Sequence, residues 1–575
     1  MKKLMTRILM TALVAVIAAA VFTGCGAGSA DGRLSVKQYA TGYFQSGLLA
    51  VQEEENGKWG YIDNKGAMKI AKQYDGASAF VSGAAIIRQE TANGNGEYFL
   101  IDNKDKAVSE KYDYIDAVGY DRSDYNKVLF IGEKGGGSDE KVVFMDAKGK
   151  ETVSFKAAEY EDVILNAAVV SNGKTGAEIK YGAVNILNGK EILPKEYDGI
   201  EELKSWGYYD YFPLQTFLKI QKGTGANEKY GFATLEGKVI TAAKYIDLGN
   251  FYNGAAAAKV DGTDTDFIDT NGKTLFTVNT TGYTYSSFGR FDNKGVMIYH
   301  YAKDGKTHYT AVNKKGAVMA ETDSATLGHN AGSDFILKTS SDGGKTVYTV
   351  LGLNGKEIKS VTNTDAVTYN YVEAYTRFGF TASQQMTSLY TTKMYNTSGK
   401  ETSTLDKCES SNSVKFYSSG YGTVSRNDAN LKYSDIIDIN GKILIGNAKA
   451  GADYYIMMFK DVDCIMFTST EGLYTTGYQA KAGLMNSKGK ILLKAKQSEV
   501  LPNFGGGSLF AAKSWDGKWG FVDKTGEFKI AAEYAYASYF IGGLAAVQSG
   551  KKTGFVNTKG KKVIECKYVE IGGNI

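Results

Sequence analysis

The sequence has very little histidine, proline or cysteine, with three, three and four of these residues in 575. So few histidines are poor ground for histidine-based catalysis or for a zinc site. A strong charge of one sign is also lacking, since 67 Lys and Arg stand against 63 Asp and Glu. Nucleic-acid binding rests on a clustered basic surface, so we expect no nucleic-acid partner.

Glycine and tyrosine are abundant instead, with 68 and 40 residues. Glycine favours tight turns, and tyrosine favours half-buried strands. Hydrophobic residues make up 43% of the chain and charged residues 23%, which are ordinary values for a globular protein. The composition therefore predicts a folded chain that is rich in turns and strands, and it argues against long disorder.

Residues 1–24 have the pattern of a signal peptide for export. Three cations precede an apolar run over 8–22, which is short of the roughly 20 apolar residues of a transmembrane helix. The run ends in Phe22-Thr23-Gly24-Cys25, which resembles the lipobox of bacterial lipoproteins, although Phe22 stands where Leu is usual. The resemblance implies cleavage before Cys25 and attachment of a lipid to its sulfur, so Cys25 is the predicted lipidation site.

Residues 25–35 are then a lipidated, flexible tether that begins with small residues. Two alternatives stay open, an ordinary secretory signal with a chance cysteine and an uncleaved anchor. The lipoprotein prediction places the protein in the cell envelope, outside the cytoplasm, with a bacterial membrane as its partner through the lipid on Cys25.

Three further cysteines are spread over apparently separate parts of the chain, at Cys408, Cys464 and Cys566. They form no Cys-x-x-Cys pair and no disulfide framework, so we expect buried thiols, with a Cys408–Cys464 bridge as the alternative. The three histidines show no metal-binding spacing, and no Gly-x-Ser-x-Gly turn is present. The sequence predicts no cofactor, no metal site and no catalytic residue.

An internal repeat dominates the chain. Residues 57–89 and 517–548 are two copies of one segment, and weaker copies lie at 180–200, 229–260 and 552–573. Most units carry a turn in which Asp or Asn is followed three residues later by Gly, as in Asp63 to Gly66 and Asp523 to Gly526 in the two best copies. The other turns are looser, at Gly189, Gly237 and Gly355 and where Asp105 replaces the glycine. Counting these turns gives about thirteen units of about 41 residues, close to the roughly 40–45 of a propeller blade.

One unit is predicted to be a β-meander. Its short alternating apolar runs are strands, and Asp or Asn opens a tight turn that Gly closes in the left-handed conformation. No helical period continues beyond a few residues after Cys25. The fold class is therefore all-β, with about thirteen meander units.

The units resemble the WG-repeat family, named for a Trp-Gly pair that occurs here as Trp59-Gly60 and Trp519-Gly520. The likeness is strong over 36–90 and 515–573 and moderate over 180–260. It implies β-rich repeat arrays, often secreted or surface bound, without a general enzymatic activity. We expect both tryptophans to pack between neighbouring sheets, with Gly60 and Gly520 allowing close approach of the backbone.

Single units cannot bury both faces of their sheet, so they must stack. Thirteen blades exceed the usual 4–8 of one β-propeller, which favours two propellers over residues 36–305 and 306–575. An open β-solenoid is the alternative. Similarity between residues 44–51 and the stretch after Tyr568 also suggests that the two ends of the chain complete one shared unit.

An insertion at residues 204–213, in the fourth unit of the sequence, is the predicted binding platform. Its five aromatic side chains are of the kind that stack on sugars or fill a partner's pocket, and they are Trp206, Tyr208, Tyr209, Tyr211 and Phe212. The acidic segment 261–269 lacks the spacing of an EF-hand, and we interpret it as a solvated turn.

Together these features predict a surface-tethered, non-catalytic binding module for an envelope or extracellular protein, peptide or glycan. The alternative is a cell-envelope assembly factor. A less favoured third is a polysaccharide-degrading enzyme with paired carboxylates, which leave no local motif.

Overall fold

The computed structural model describes residues 43–572, except for 95, 120–126, 137–138, 208–213, 331, 364–368, 376–377, 387, 411–412, 417–420, 429–430, 447–456, 460–461, 470–480, 487–489 and 502–506. The predicted signal peptide, Cys25 and the tether lie outside these residues. Within them, no helix has the length and apolar character needed to cross a membrane.

The described chain is all-β, as predicted, with only short 3-10 turns such as Gly176–Glu178 and Gly225–Asn227 between strands. Its strands group into thirteen antiparallel meanders, here called repeats 1–13. This number agrees with the count of units made from the turns in the sequence.

The strands of repeats 1–4 are β1 (Leu49–Gln52), β2 (Trp59–Ile62), β3 (Met68–Tyr74), β4 (Gly76–Ala77), β5 (Ala84–Glu90), β6 (Gly96–Asp102), β7 (Tyr114–Gly119), β8 (Val128–Lys134), β9 (Lys141–Met145), β10 (Glu151–Lys156), β11 (Tyr160–Ile164), β12 (Ala167–Ser171), β13 (Tyr181–Asn185) and β14 (Glu191–Tyr197). Repeat 1 holds β1–β3, repeat 2 β4–β6, repeat 3 β7–β10 and repeat 4 β11–β14.

The strands of repeats 5–8 are β15 (Gly199–Trp206), β16 (Gln215–Lys222), β17 (Lys229–Ala233), β18 (Val239–Tyr245), β19 (Asp247–Leu248), β20 (Phe251–Tyr252), β21 (Ala255–Lys259), β22 (Asp264–Asp269), β23 (Thr274–Asn279), β24 (Tyr285–Phe288), β25 (Val296–Lys303), β26 (Lys306–Asn313), β27 (Val318–Thr322), β28 (Ala325–Gly328), β29 (Phe335–Asp342), β30 (Lys345–Gly352) and β31 (Glu357–Thr362). Repeat 5 holds β15–β18, repeat 6 β19–β23, repeat 7 β24–β27 and repeat 8 β28–β31.

The strands of repeats 9–13 are β32 (Tyr369–Tyr375), β33 (Gly379–Gln385), β34 (Tyr390–Asn396), β35 (Glu401–Cys408), β36 (Val414–Phe416), β37 (Tyr421–Asp428), β38 (Leu431–Asp438), β39 (Ile443–Ile445), β40 (Met457–Phe459), β41 (Val462–Ser469), β42 (Lys481–Met485), β43 (Ile491–Gln497), β44 (Glu499–Val500), β45 (Phe510–Lys513), β46 (Trp519–Val522), β47 (Phe528–Tyr534), β48 (Tyr536–Ala537), β49 (Leu544–Ser549), β50 (Lys552–Asn557) and β51 (Lys562–Tyr568), and β52 (Glu570–Ile571) follows. Repeats 9–13 take four strands each, from β32 to β51.

Two compact units are distinguished in the chain. The first contains residues 1–170, 184–190 and 567–575, and the second contains residues 171–183 and 191–566. The sequence predicts two propellers that divide at 305/306. That division refers to closed rings of blades and not to compact units, so it stays a prediction.

In the first compact unit, strands from both ends of the described chain share one sheet. Strand β52 pairs with β1, with Val51 opposite Ile571, and the sheet runs β3-β2-β1-β52. The amide of Val569 donates to the carbonyl of Gln52 at 2.9 Å, and Lys567 forms an ion pair with Glu53 at 3.3 Å. The C-terminal strand therefore supplies the fourth strand of repeat 1.

The Asp/Asn turn has the same hydrogen bonds along the chain. In repeat 1, Oδ1 of Asp63 accepts from the amides of Lys65 and Ala67, each at 2.9 Å, and Gly66 has a φ of +81°. The side chain therefore satisfies two amides that the turn takes out of the sheet. The same pair of bonds recurs at Asp146, Asp269, Asn313, Asn396, Asp438, Asp523 and Asn557.

The turn glycine has a second role, which its φ angle alone does not reveal. A Cβ atom at Gly237 would lie 2.3 Å from the carbonyl oxygen of Ile192, and one at Gly355 would lie 2.2 Å from that of Met319. Both carbonyls belong to the outer strand of the preceding repeat. The turn of one repeat therefore rests on the backbone of the repeat before it, and this contact contributes to their stacking.

The Trp-Gly pair lies opposite a large bulge, in which the partner strand has two extra residues. Trp59 pairs with Tyr74, but Tyr61 pairs with Ile70, so β3 advances four residues while β2 advances two. A Cβ atom at Gly60 would lie 2.7 Å from the carbonyl oxygen of Ile70. Glycine is therefore required where the bulged strand crosses the pair.

The core lies between neighbouring sheets. Trp59 packs with Tyr61 and Tyr74 of repeat 1 and with Phe80 and Ile87 of repeat 2. Trp519 occupies the same position between repeats 12 and 13, and the two indoles are 3% and 4% exposed. In both of these pairs, one meander buries its aromatic side chains against the next one.

Candidate binding surface

Trp206 is the part of the predicted aromatic platform that the structure describes. It ends strand β15 and is half-buried. The other four members, Tyr208, Tyr209, Tyr211 and Phe212, lie outside the described residues.

Strand β15 brings Trp206 beside a second aromatic ring. In the second compact unit, β15 pairs in parallel with β20, with Ser205 opposite Phe251 and Trp206 opposite Tyr252. The amide of Asn253 donates to the carbonyl of Trp206 at 2.8 Å. Because paired residues of adjacent strands share a face, Trp206 and Tyr252 are neighbours on one side of the sheet.

A cation lies over each ring. The Lys204 ammonium is 5.8 Å from the centroid of the Trp206 ring, and the Arg290 guanidinium is 4.1 Å from that of Tyr252. Lys204 shares the face of Trp206 because it is two residues earlier on the strand. The four side chains Lys204, Trp206, Tyr252 and Arg290 form a row that we call the Trp206 surface. Arg290 is exposed and the other three are half-buried.

The turn that carries Arg290 is fixed by buried hydrogen bonds. The Asn253 side chain donates to the carbonyl of Phe291 at 2.8 Å. Oδ2 of Asp292 lies 2.9 Å from Nε2 of His329 and accepts from the amide of Gly332 at 2.6 Å. These contacts tie repeats 6, 7 and 8 together beside the Trp206 surface.

The Asp292–His329 contact is a buried hydrogen bond between a carboxyl group and an imidazole. Nδ1 of His329 is 2.7 Å from the carbonyl of Phe335, which only accepts, so this nitrogen carries a proton. Burial on its own would raise the pKa of Asp292, but the bonds from His329, Gly332 and Val296 lower it below its ordinary value of 3.8. Asp292 is thus held by a side-chain contact and by backbone amides, all in a buried position.

A second aromatic group lies in repeat 7. The rings of Tyr283 and Tyr301 stack with centroids 3.9 Å apart, and His308 stacks on Tyr301 at 4.8 Å. Burial, followed by the neighbouring Tyr301, raises the pKa of Tyr283 to about 12. The three rings lie just before β24, on β25 and on β26, and all three are half-buried, so this group is a lesser candidate for contact.

The acidic segment 261–269 is a hydrogen-bonded turn and strand. Asp261 accepts from the amides of Thr263 and Asp264, which lower its pKa. Asp266 accepts from Thr277 at 2.6 Å. In the part of the chain that the structure describes, no three His, Cys, Asp or Glu side chains gather as a metal site requires.

The described cysteines are free thiols. Cys408 is buried and Cys566 is half-buried, and burial raises the pKa of both. The side chain of Cys464 lies outside the described residues. A shallow apolar depression between Phe378, Phe380 and Met394 has a cavity volume of about 10 Å³, far below the roughly 300–1,000 Å³ of common small-molecule sites.

Sequence reasoning identified Trp206 but missed Tyr252 and Arg290. A signal for Tyr252 was present, because it follows Phe251 where other repeats have an aliphatic residue, Val81 after Phe80 and Ile541 after Phe540. Nothing local indicates that β15 pairs with β20, since the pairing joins residues that are far apart in the sequence.

These repeats and their cores define the class of the molecule, an all-β protein built of stacked meanders. The model of the WG containing repeat matches residues 59–90, 230–263, 519–552 and 554–574. These four segments are WG repeats, as the Trp-Gly pairs predicted. Among curated proteins, none matches the sequence.

Solved structures give only distant likenesses. The crystal structure of a eukaryotic initiation factor has a TM-score of 0.27 and 11% identity over 71% of this chain and 94% of that one. An uncharacterized protein from Listeria monocytogenes EGD-e gives 0.23 and 13% over 49% and 94%, and BamB from Moraxella catarrhalis gives 0.15 and 13% over 61% and 92%. At such scores these likenesses carry no argument about function.

Proposed function

We propose that this protein is a lipid-anchored, non-catalytic binding module of the bacterial cell envelope, which holds an extracellular or envelope partner at the Trp206 surface. The observation that carries the proposal is the pairing of Trp206 with Tyr252 on one sheet face, with Lys204 and Arg290 over their rings. Aromatic and arginine side chains carry much of the binding energy where proteins meet partners. The stacked repeats supply a rigid support for them.

Binding is tested with wild-type protein, Trp206→Ala and Tyr252→Ala, by retention of cell-envelope proteins and by a glycan array. Trp515→Ala is the matched control, because Trp515 is a 39% exposed tryptophan in a hairpin of repeat 12. We expect the first two variants to lose a partner that wild type and the control keep. Equal retention by all four proteins would refute the assignment of this surface.

Anchoring is tested separately with Cys25→Ser. The resemblance of residues 22–25 to a lipobox supports a thioether-linked lipid, so this variant should move from the membrane fraction to the soluble fraction and lose incorporation of labelled fatty acid. A Cys25→Ser protein that stays lipidated would exclude this site. One that stays membrane-bound without label would indicate an uncleaved anchor.

A further inference from the structure

The Trp206 surface combines flat rings with positive charge, and the two together specify a ligand class. We infer that it binds an acidic polysaccharide, with a sugar ring against Trp206 and a carboxylate or sulfate group at Arg290. This inference rests on the proposed binding function and names the partner that the surface would take.

Arg290 is available for an anion. Among the described residues, no carboxylate lies within ion-pair distance of its guanidinium, whose carbon is 4.1 Å from the centroid of the Tyr252 ring. The N–H donors of a guanidinium lie in one plane, where they match the two oxygens of a carboxylate. Arg290 is also the exposed member of the row, so a ligand can reach it.

The surrounding charges favour the same ligand. Asp292 is the nearest acid along the chain, and it is 2% exposed and engaged with His329. Lys314 donates to the carbonyl of Asn253, the residue after Tyr252. Glu202 lies 3.0 Å from the Lys204 ammonium, which offsets that charge, so Arg290 and Lys314 carry the positive potential.

The row is also held in place before any ligand arrives. The Asn253 amide fixes the end of β15 through the carbonyl of Trp206, and the Asn253 side chain fixes the turn after Arg290 through the carbonyl of Phe291. One residue therefore sets the spacing between the indole and the guanidinium. Rigid support of this kind reduces the entropy lost on binding.

A protein partner is the competing occupant, and the chemistry of the row favours a glycan over it. Sugar rings present a flat face of C–H groups that stacks on an indole, and acidic polysaccharides repeat an anion on successive rings. An acidic peptide offers the anion without the flat face. The test therefore compares polymers that carry sugar rings alone, anions alone, or both.

The experiment measures binding of the full-length protein, purified in mild detergent, to polygalacturonate, dextran sulfate, neutral dextran and poly-glutamate. We expect both acidic polysaccharides to bind more tightly than dextran and poly-glutamate, and binding to weaken as salt is raised. Arg290→Gln should weaken polygalacturonate binding on the order of tenfold. Lys219→Gln is the matched control, because it removes one charge from a cation that lies 4.3 Å from the ring of Tyr230.

The outcomes separate the inference from the function on which it rests. If dextran binds as tightly as polygalacturonate and Arg290→Gln changes neither, the preference for anions is wrong while the binding surface stands. If poly-glutamate binds as tightly as polygalacturonate, charge alone explains binding and the glycan assignment is wrong. If Trp206→Ala leaves envelope-protein retention and all polymer binding unchanged, the function and the inference both fall.

Discussion

Repeats 12 and 8 solve the same packing problem in different ways. In repeat 12, Trp519-Gly520 faces a bulged strand, and Trp519 pairs with Tyr534 while Phe521 pairs with Ile530. In repeat 8, Tyr348-Thr349 stands at the same place before the turn, and the pairing stays one-to-one from Val347–Thr362 to Val350–Lys359. A Cβ atom at Gly520 would lie 2.6 Å from the carbonyl of Ile530. The bulge in repeat 12 therefore needs glycine, whereas this part of repeat 8, which lacks the glycine, pairs one-to-one.

The consequence is a difference in burial. Trp519 is 4% exposed, whereas Tyr348 is half-buried. The bulge brings Tyr534 opposite the indole, while the flat pairing puts Val361 opposite Tyr348. The Trp-Gly pair is thus one structural device in which the glycine makes the bulge and the tryptophan fills the space that it creates.

The largest expected effect comes from truncating the aromatic ring. Trp519→Ala should lower the free energy of unfolding by about 3–5 kcal/mol, because it opens a cavity in the core between repeats 12 and 13. Tyr348→Ala should cost about 1 kcal/mol, because its ring is only half-buried. Urea unfolding followed by circular dichroism measures both. Equal losses would mean that the bulge adds nothing to burial.

The second-largest effect is expected at the buried contact between Asp292 and His329 in repeats 7 and 8, and Asp292→Ala removes this contact. Removing one partner of a buried pair costs roughly 3 kcal/mol or more. The lowered pKa of Asp292 means that its stabilisation is fully present above pH 3.8 and is lost as the pH falls below that value.

The difference in stability between wild type and Asp292→Ala should therefore shrink as the pH falls below about 4. Thermal unfolding across this range measures it, with Asn313→Ala as a control that carries no charge. A difference that stays constant with pH would show that folding does not lower the pKa of Asp292.

A smaller effect is expected from adding one methyl group at the bulge. Gly520→Ala should cost about 1–3 kcal/mol, because the atoms that its Cβ meets are the backbone of Ile530 and Ala531 rather than a side chain that can move. Thr349→Ala at the matching place in repeat 8 should change stability by less than about 0.5 kcal/mol. Hydrogen exchange of the strands on either side would locate the loss, and unchanged exchange in β46 and β47 would contradict the requirement for glycine.

Replacing the turn asparagine should give the smallest difference in stability between one repeat and another. Asn557 in repeat 13 and Asn313 in repeat 7 each accept from two amides, at about the same distances. Asn557→Ala and Asn313→Ala should therefore each cost about 1 kcal/mol, since both leave amides without their partner. A loss in only one of them, measured by urea unfolding, would show that the turn depends on the bulge beside it.

The sequence sufficed for the parts of the fold that repeat. The spacing of Asp63 and Gly66, and the same spacing along the chain, predicted the meanders and their number because a turn is a local structure. The aromatic residue at Trp206 was also visible, because it interrupts the period. The pairing of β15 with β20 and the position of Arg290 over Tyr252 depend on contacts between repeats, which no local pattern records. The bulge opposite the Trp-Gly pair was missed for a similar reason, because it is visible only when the register of the two paired strands is known.

The sharing of repeat 1 between the two ends of the chain has a consequence for how the protein is made. Strand β1 pairs with β52, so the first sheet cannot be completed until the chain has been synthesised through residue 571. During synthesis, the free edge of β1 stays open to pairing with another chain while the later repeats are made. A nascent or truncated protein therefore has an open strand edge at its first repeat, where it can aggregate. Pairing of β52 with β1 closes this edge.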